Sequence, residues 1–123
     1  PFFLEDTMQV PGSYGNYVNM QSAAVATGEG TSLGCADVAG MGFFNFATFQ
    51  VTGITTVTIT WEATLDNTNW VAILVKNLNT GAEATTTTAN GLFRVQCTGL
   101  LNIRARISSW STGATTVTGI ATA

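Results

Sequence analysis

From Thr56 to Leu65 the chain alternates without a fault. Val57, Ile59, Trp61, Ala63 and Leu65 fall on one side, and Thr56, Thr58, Thr60, Glu62 and Thr64 on the other. A period of two is the signature of a strand with one face buried and one wet. Asp66-Asn67-Thr68-Asn69 follows, a cluster whose side chains cap their own backbone in turns. Trp70 to Val75 then reads as a second strand, apolar on both faces. Together these runs predict a hairpin. A lone hairpin is unstable in water, so the rest of the chain must supply the strands that cover it.

The flanking sequence does so. Phe43 to Val51 reads as a strong strand, with Phe44 and Phe46 on one face and Phe43 and Phe49 on the other, closed by Gly53. Ser22–Thr27 and Thr31–Val38 read as short strands. Ala82–Ala89 has no apolar face and reads as an exposed edge strand or a long loop. Leu92–Thr98 puts Phe93, Val95 and Cys97 on one face and Arg94 and Gln96 on the other. Leu101–Ser108 turns Leu101, Ile103, Ala105 and Ile107 inward and Arg104 and Arg106 outward. Ser109–Gly113 reads as a turn holding Trp110, and Thr115–Ala121 as the last strand. The sum is an all-β chain, an antiparallel β-sandwich or jelly roll of about seven to nine short strands with an extended N-terminal arm.

At 123 residues the chain is one domain. Within it, residues 1–30 form an arm or loop region and residues 31–123 the sandwich. The first region holds no steady period and is punctuated by Pro11, Gly12 and Gly15. It still carries Phe2, Phe3, Leu4, Tyr14 and Tyr17, too many large apolar groups for a free tail. The arm is therefore expected to dock, on its own domain or on a neighbour; the alternative is an N-terminal edge strand with a covered loop.

Charged residues make up 9% of the chain, against roughly a quarter in typical soluble domains. A surface so poor in charge suits a protein packed against others, because interface cores are depleted of charge. The net charge is −3 and the only bases are Lys76, Arg94, Arg104 and Arg106. That gives no electrostatic footprint for nucleic acid. No apolar run approaches the ~18 residues that span a membrane, so no membrane partner is expected. The PFFLEDTMQV start lacks a basic region and a long apolar stretch, so no signal peptide is read there.

The chain contains no histidine, which excludes His-based triads, bases and metal sites. The serines have no GxSxG context, and no phosphate-binding glycine motif is present. Glu62 faces solvent beside Thr60 and Thr64, and Asp66 sits in a turn, a poor arrangement for paired-carboxylate catalysis. Asp66, Asn67 and Asn69 make a thin ligand set for calcium and read as turn chemistry. The expectation is no enzyme, no catalytic residue, no metal and no cofactor. Cys35 and Cys97 lack metal-site spacing and read as free buried thiols, with a disulfide joining two sheets as the alternative.

Trp61 reads as core. Trp70 and Trp110, with Asp66 and Asn69, make either a sugar-stacking platform or the closed ends of a sandwich. Arg104 and Arg106, with Arg94 on a neighbouring strand, face acids on a partner or pair with Glu62 across strands.

The runs TVTITWEATLDNTNWVAIL, GLFRVQCTGLLNIRARIS and STGATTVTGIATA resemble the small β-sandwich proteins of tailed-bacteriophage virions. Many of these carry an L-D-[GN]-T-N-W turn, a G-L-[FY]-R-V strand, an [IV]-R-A-R strand and a final T-V-T-G strand. The resemblance covers roughly Phe43 to Ala123, with Asn67 where Gly is more usual. A looser resemblance is to discoidin-type jelly rolls that bind sugars. The first resemblance implies a capsid cement or decoration protein on the virion exterior, assembled in the host cytoplasm. Its implied partners are the major capsid protein and further copies of itself, as a dimer or trimer. The expected contacts are Phe2, Phe3, Leu4, Tyr14 and Tyr17 of the arm, the Phe43/Phe49 face, and Arg94, Arg104 and Arg106. The alternative is a carbohydrate-binding module of a tail or fibre, or a tail or neck component.

Overall fold

The computed structural model describes residues 15–36 and 44–123, and these form strands and loops with no helix. In chain order the strands are β1 (Gly15–Ala24), β2 (Leu33–Gly34), β3 (Phe46–Thr64), β4 (Val71–Ala72), β5 (Val75–Asn77), β6 (Glu83–Ala84), β7 (Thr86–Thr87), β8 (Gly91–Gln96) and β9 (Asn102–Thr122). All belong to one hydrogen-bonded antiparallel sheet whose main path runs β1-β9-β3-β8-β5-β6. Strands β2, β4 and β7 join beside that path, on β9, β3 and β3.

That sheet closes on itself. Phe49 and Trp61 lie twelve positions apart on β3, about 40 Å in a straight strand. Their ring centroids are 4.7 Å apart. Strand β3 therefore bends back between them, and β9, paired with it from Phe46↔Thr122 to Thr64↔Asn102, bends alongside. The register slips four times between Thr52 and Ile59, which marks the corner. Gly53 and Gly113 meet there, both at positive φ. A side chain on Gly53 would run into the carbonyl of Ala114. Glycine is needed at this corner for both reasons.

The bend makes two layers, a β-sandwich. One has six strands: β1, the C-terminal half of β9, the N-terminal half of β3, then β8, β5 and β6. The other holds β2, the N-terminal half of β9, the C-terminal half of β3, and β4 and β7. The core lies between them. Phe49, Phe93, Val51, Val117 and Met20 come from the first layer, and Trp61, Ile59, Ile103, Ile107 and Leu33 from the second. Trp61 stacks at a tilt against Phe49 and Phe93, a contact aromatic pairs favour. Cys35 and Cys97 are buried free thiols, and burial pushes both upward.

Several boundaries differ from the sequence reading. Gly53 and Ser109–Gly113 do not end strands; positive-φ glycines let β3 and β9 turn the corner with the ladder resumed. The strand expected at Ser22–Thr27 lies at Gly15–Ala24, so ten residues of the 1–30 arm are an edge strand of the sandwich. Trp70–Val75 breaks into β4 and β5, which pair with different partners. Leu65, read as inward, is exposed where the chain leaves the ladder.

Candidate partner-binding faces

Residues directly opposite one another in a sheet point to the same side. On the six-strand layer one row reads Tyr17, Ile120, Thr48, Arg94, Lys76, Glu83. The next row toward one end reads Gly15, Thr122, Phe46, Gln96, and the row toward the other Asn19, Thr118, Gln50, Leu92. These rows make the outer face. Tyr17 is 71% exposed and stands on β1, the edge strand. Arg94 Nε donates to Thr48 Oγ1 at 3.2 Å. Neither Arg94 nor Lys76 meets a carboxylate among the described residues. Beside them Phe46, Leu74 and Leu78 line a groove of about 420 Å³, with Glu83 at its rim.

The outer face of the second layer is built differently. Glu62 on β3 lies opposite Arg104 on β9, and Thr60 opposite Arg106. Arg104 Nε donates to Glu62 Oε1 at 2.8 Å; Arg106 donates from Nε to Oε1 and from Nη2 to Oε2, at 3.1 and 3.0 Å. Arg104 also reaches Glu29 at 3.4 Å and lies over the Trp70 ring, 4.2 Å from its centroid. Burial pushes Glu62 upward, but the hydrogen bonds from Arg106 and Arg104 outweigh it and hold the carboxyl below its ordinary value. The same bond raises Arg106.

The 66–69 turn is closed on itself. Asp66 Oδ1 accepts from the Asn69 and Thr68 backbone amides at 2.8 and 2.9 Å and from Thr64 Oγ1 at 3.0 Å; Oδ2 accepts from Asn69 Nδ2 at 2.8 Å. These bonds, the backbone ones first, hold Asp66 well below the usual carboxylate range. Asn67 stands at φ 62°, the left-handed position Asn tolerates.

The candidate residues therefore separate. Tyr17 and Arg94 share the six-strand face. Arg104 and Arg106 sit on the opposite face and take the cross-strand alternative, pairing with Glu62. Phe49 is fully buried, so it is core and not part of a contact face. Strand β3 turns Phe49 inward against Trp61. Phe2, Phe3, Leu4, Tyr14 and Phe43 lie outside the described residues. Trp70 and Trp110 do not form one platform. Trp70 adjoins the Ala63↔Val71 pair and Trp110 is opposite Val57, six positions along β3, about 20 Å. Trp70 is covered by Arg104, and Trp110 Nε1 donates to the Gly113 carbonyl at 3.0 Å. Sequence reasoning missed Phe46, Leu74, Leu78 and Lys76 as one surface, because β5 and β8 become neighbours only across a non-local ladder.

The fold has solved counterparts. The chain is similar to the SPBc2 prophage-derived protein YomS, at 20% identity over 95% of this chain and 100% of that one, with a TM-score of 0.78. It is also similar to the PBSX exported protein XepA, at 15% identity over the whole of this chain and 46% of that one, with a TM-score of 0.80. The chain thus spans about half the length of XepA. No protein-family model and no curated protein matches it.

Proposed function

We propose that this chain is a non-enzymatic structural protein of a bacteriophage virion, a cement or decoration protein that binds the assembled major capsid protein shell and stabilises it. The observation that carries the reading is the edge position of β1 in the six-strand layer, where among the described residues the Met20 carbonyl takes the Thr31 amide. Strand β1 pairs in its ladder with β9 alone, and Tyr17 stands exposed along it. An edge strand is a template for strand addition by another chain wherever its outer backbone groups are open. A phage origin is supported by the sequence resemblance and by the prophage-derived protein YomS, which shares the fold. Binding only the assembled shell would stabilise that shell by linkage, with no chemistry required. The protein would act at the capsid exterior as a homodimer or homotrimer, after assembly in the host cytoplasm.

Light scattering on the isolated protein, followed by titration onto shells lacking it, tests this. The expected result is a small symmetric oligomer that saturates the shells at a fixed copy number and raises their melting temperature. Failure to bind shells, or binding that does not saturate, overturns the reading.

A further inference from the structure

Two cysteines 62 positions apart in sequence share one end of the core. Cys35 follows β2, in the second layer, and its amide donates to the Leu101 carbonyl at 2.9 Å. Cys97 follows β8, in the six-strand layer, and its amide donates to the Asn45 carbonyl at 2.8 Å. Phe44 lies between them. Its amide donates to the Cys35 carbonyl at 2.8 Å, and its carbonyl accepts from the Cys97 thiol at 3.6 Å. The two thiols are within hydrogen-bond reach of each other, and both residues are fully buried. We propose that this pair is an oxidation site, a dithiol that a hydroperoxide closes to a disulfide linking the two layers of the folded protein.

A single buried thiol is ordinarily inert core. A second sulfur in contact with it supplies the resolving partner that redox-active cysteines use. Burial pushes both thiols up, and the hydrogen bond from Cys35 works against that at Cys97, so Cys97 is the attacking sulfur. Its thiolate takes one oxygen from the peroxide; the O–O bond breaks and hydroxide leaves. The Cys35 sulfur then attacks the sulfenic sulfur of Cys97; the S–S bond forms, the S–O bond breaks and water leaves. In sum, two thiols lose two hydrogens and two electrons, and one hydrogen peroxide becomes two waters. Hydrogen peroxide is little larger than water, so brief local openings at that end of the sandwich are enough to admit it. The bond ties β2, two residues laddered to β9, to the end of β8. It closes a loop long enough to restrict the unfolded chain strongly.

Mass spectrometry of the full chain after mild treatment with hydrogen peroxide, without denaturant, tests the proposal. The parent protein is expected to become two hydrogens lighter, to yield a peptide linking positions 35 and 97, and to give no adduct with dimedone, which traps sulfenic acid. Its melting temperature should rise by about 10 °C and return on reduction with dithiothreitol. Cys35→Ala leaves Cys97 without a sulfur to meet, so dimedone should trap Cys97 and the rise should be lost. If that variant does not fold, the linked peptide and the melting temperature of the parent decide by themselves. The proposal is overturned by a parent that carries sulfenic or sulfinic acid without the link, links only between molecules or only after unfolding, stays reduced, or gains no thermal stability.

Discussion

The two outer faces of the sandwich carry the same kinds of residue to opposite ends. On the second layer, Arg104 and Arg106 converge on Glu62, and Arg104 is further held by Glu29 and Trp70. Each charge there is answered inside the domain. On the six-strand layer, Arg94 has a threonine for a neighbour and Lys76 stands across from Arg94, with apolar side chains around them. An outward arginine is thus a structural residue or an available one according to what the neighbouring strand places opposite it. The first face ties its charges together within the domain, and on the second no ion pair forms among the described residues.

Four substitutions probe that contrast. Phe49→Ala should have the largest effect, a loss of about 3–5 kcal/mol by chemical denaturation, because it empties the space against Trp61. A loss below 1 kcal/mol with impaired partner binding would return Phe49 to a contact surface. Glu62→Ala should cost about 3 kcal/mol by leaving two partly covered guanidinium groups without their acceptor. A near-neutral result would erase the distinction between the faces.

The third prediction concerns pH. Glu62 has a folded-state value below its ordinary 4.5, so its contribution is present above that pH and is lost as the pH falls through the lower folded value. The stability gap between the parent protein and Glu62→Gln should therefore be full at neutral pH and shrink in acid well below 4.5. A gap that stays constant would show that the carboxylate's charge is not what Arg104 and Arg106 hold. The smallest effect on stability is expected for Tyr17→Ala, within about 0.5 kcal/mol, since Tyr17 is exposed. Its effect on shell binding should be about tenfold, measured by co-sedimentation. Equal binding by parent and variant would remove Tyr17 from the contact.

The alternation from Thr56 to Leu65 was enough to place Val57, Ile59, Trp61 and Ala63 inside, and the same pattern placed Ile103, Ala105, Ile107 and Phe93. A strand's period of two is local, and burial of one face follows from it directly. The all-β class and the sandwich were legible for that reason, as were the outward positions of Arg94, Arg104 and Arg106. Leu65 was misread because alternation persists in sequence one step past the point where the ladder ends.

Tertiary structure decided the rest. Gly53 and Gly113 look like strand breaks in sequence, and only their pairing across the corner makes two long strands that serve both layers. Phe49 and Trp61 meet because of that corner, though nothing local sets twelve positions apart in contact. Which arginine found Glu62 and which stood beside Lys76 depended on ladders that set Arg104 opposite Glu62, Arg106 opposite Thr60 and Arg94 opposite Lys76. Local physics fixes which way a side chain points; the partner it meets there is set by long-range register, and that is what divided the closed face from the open one.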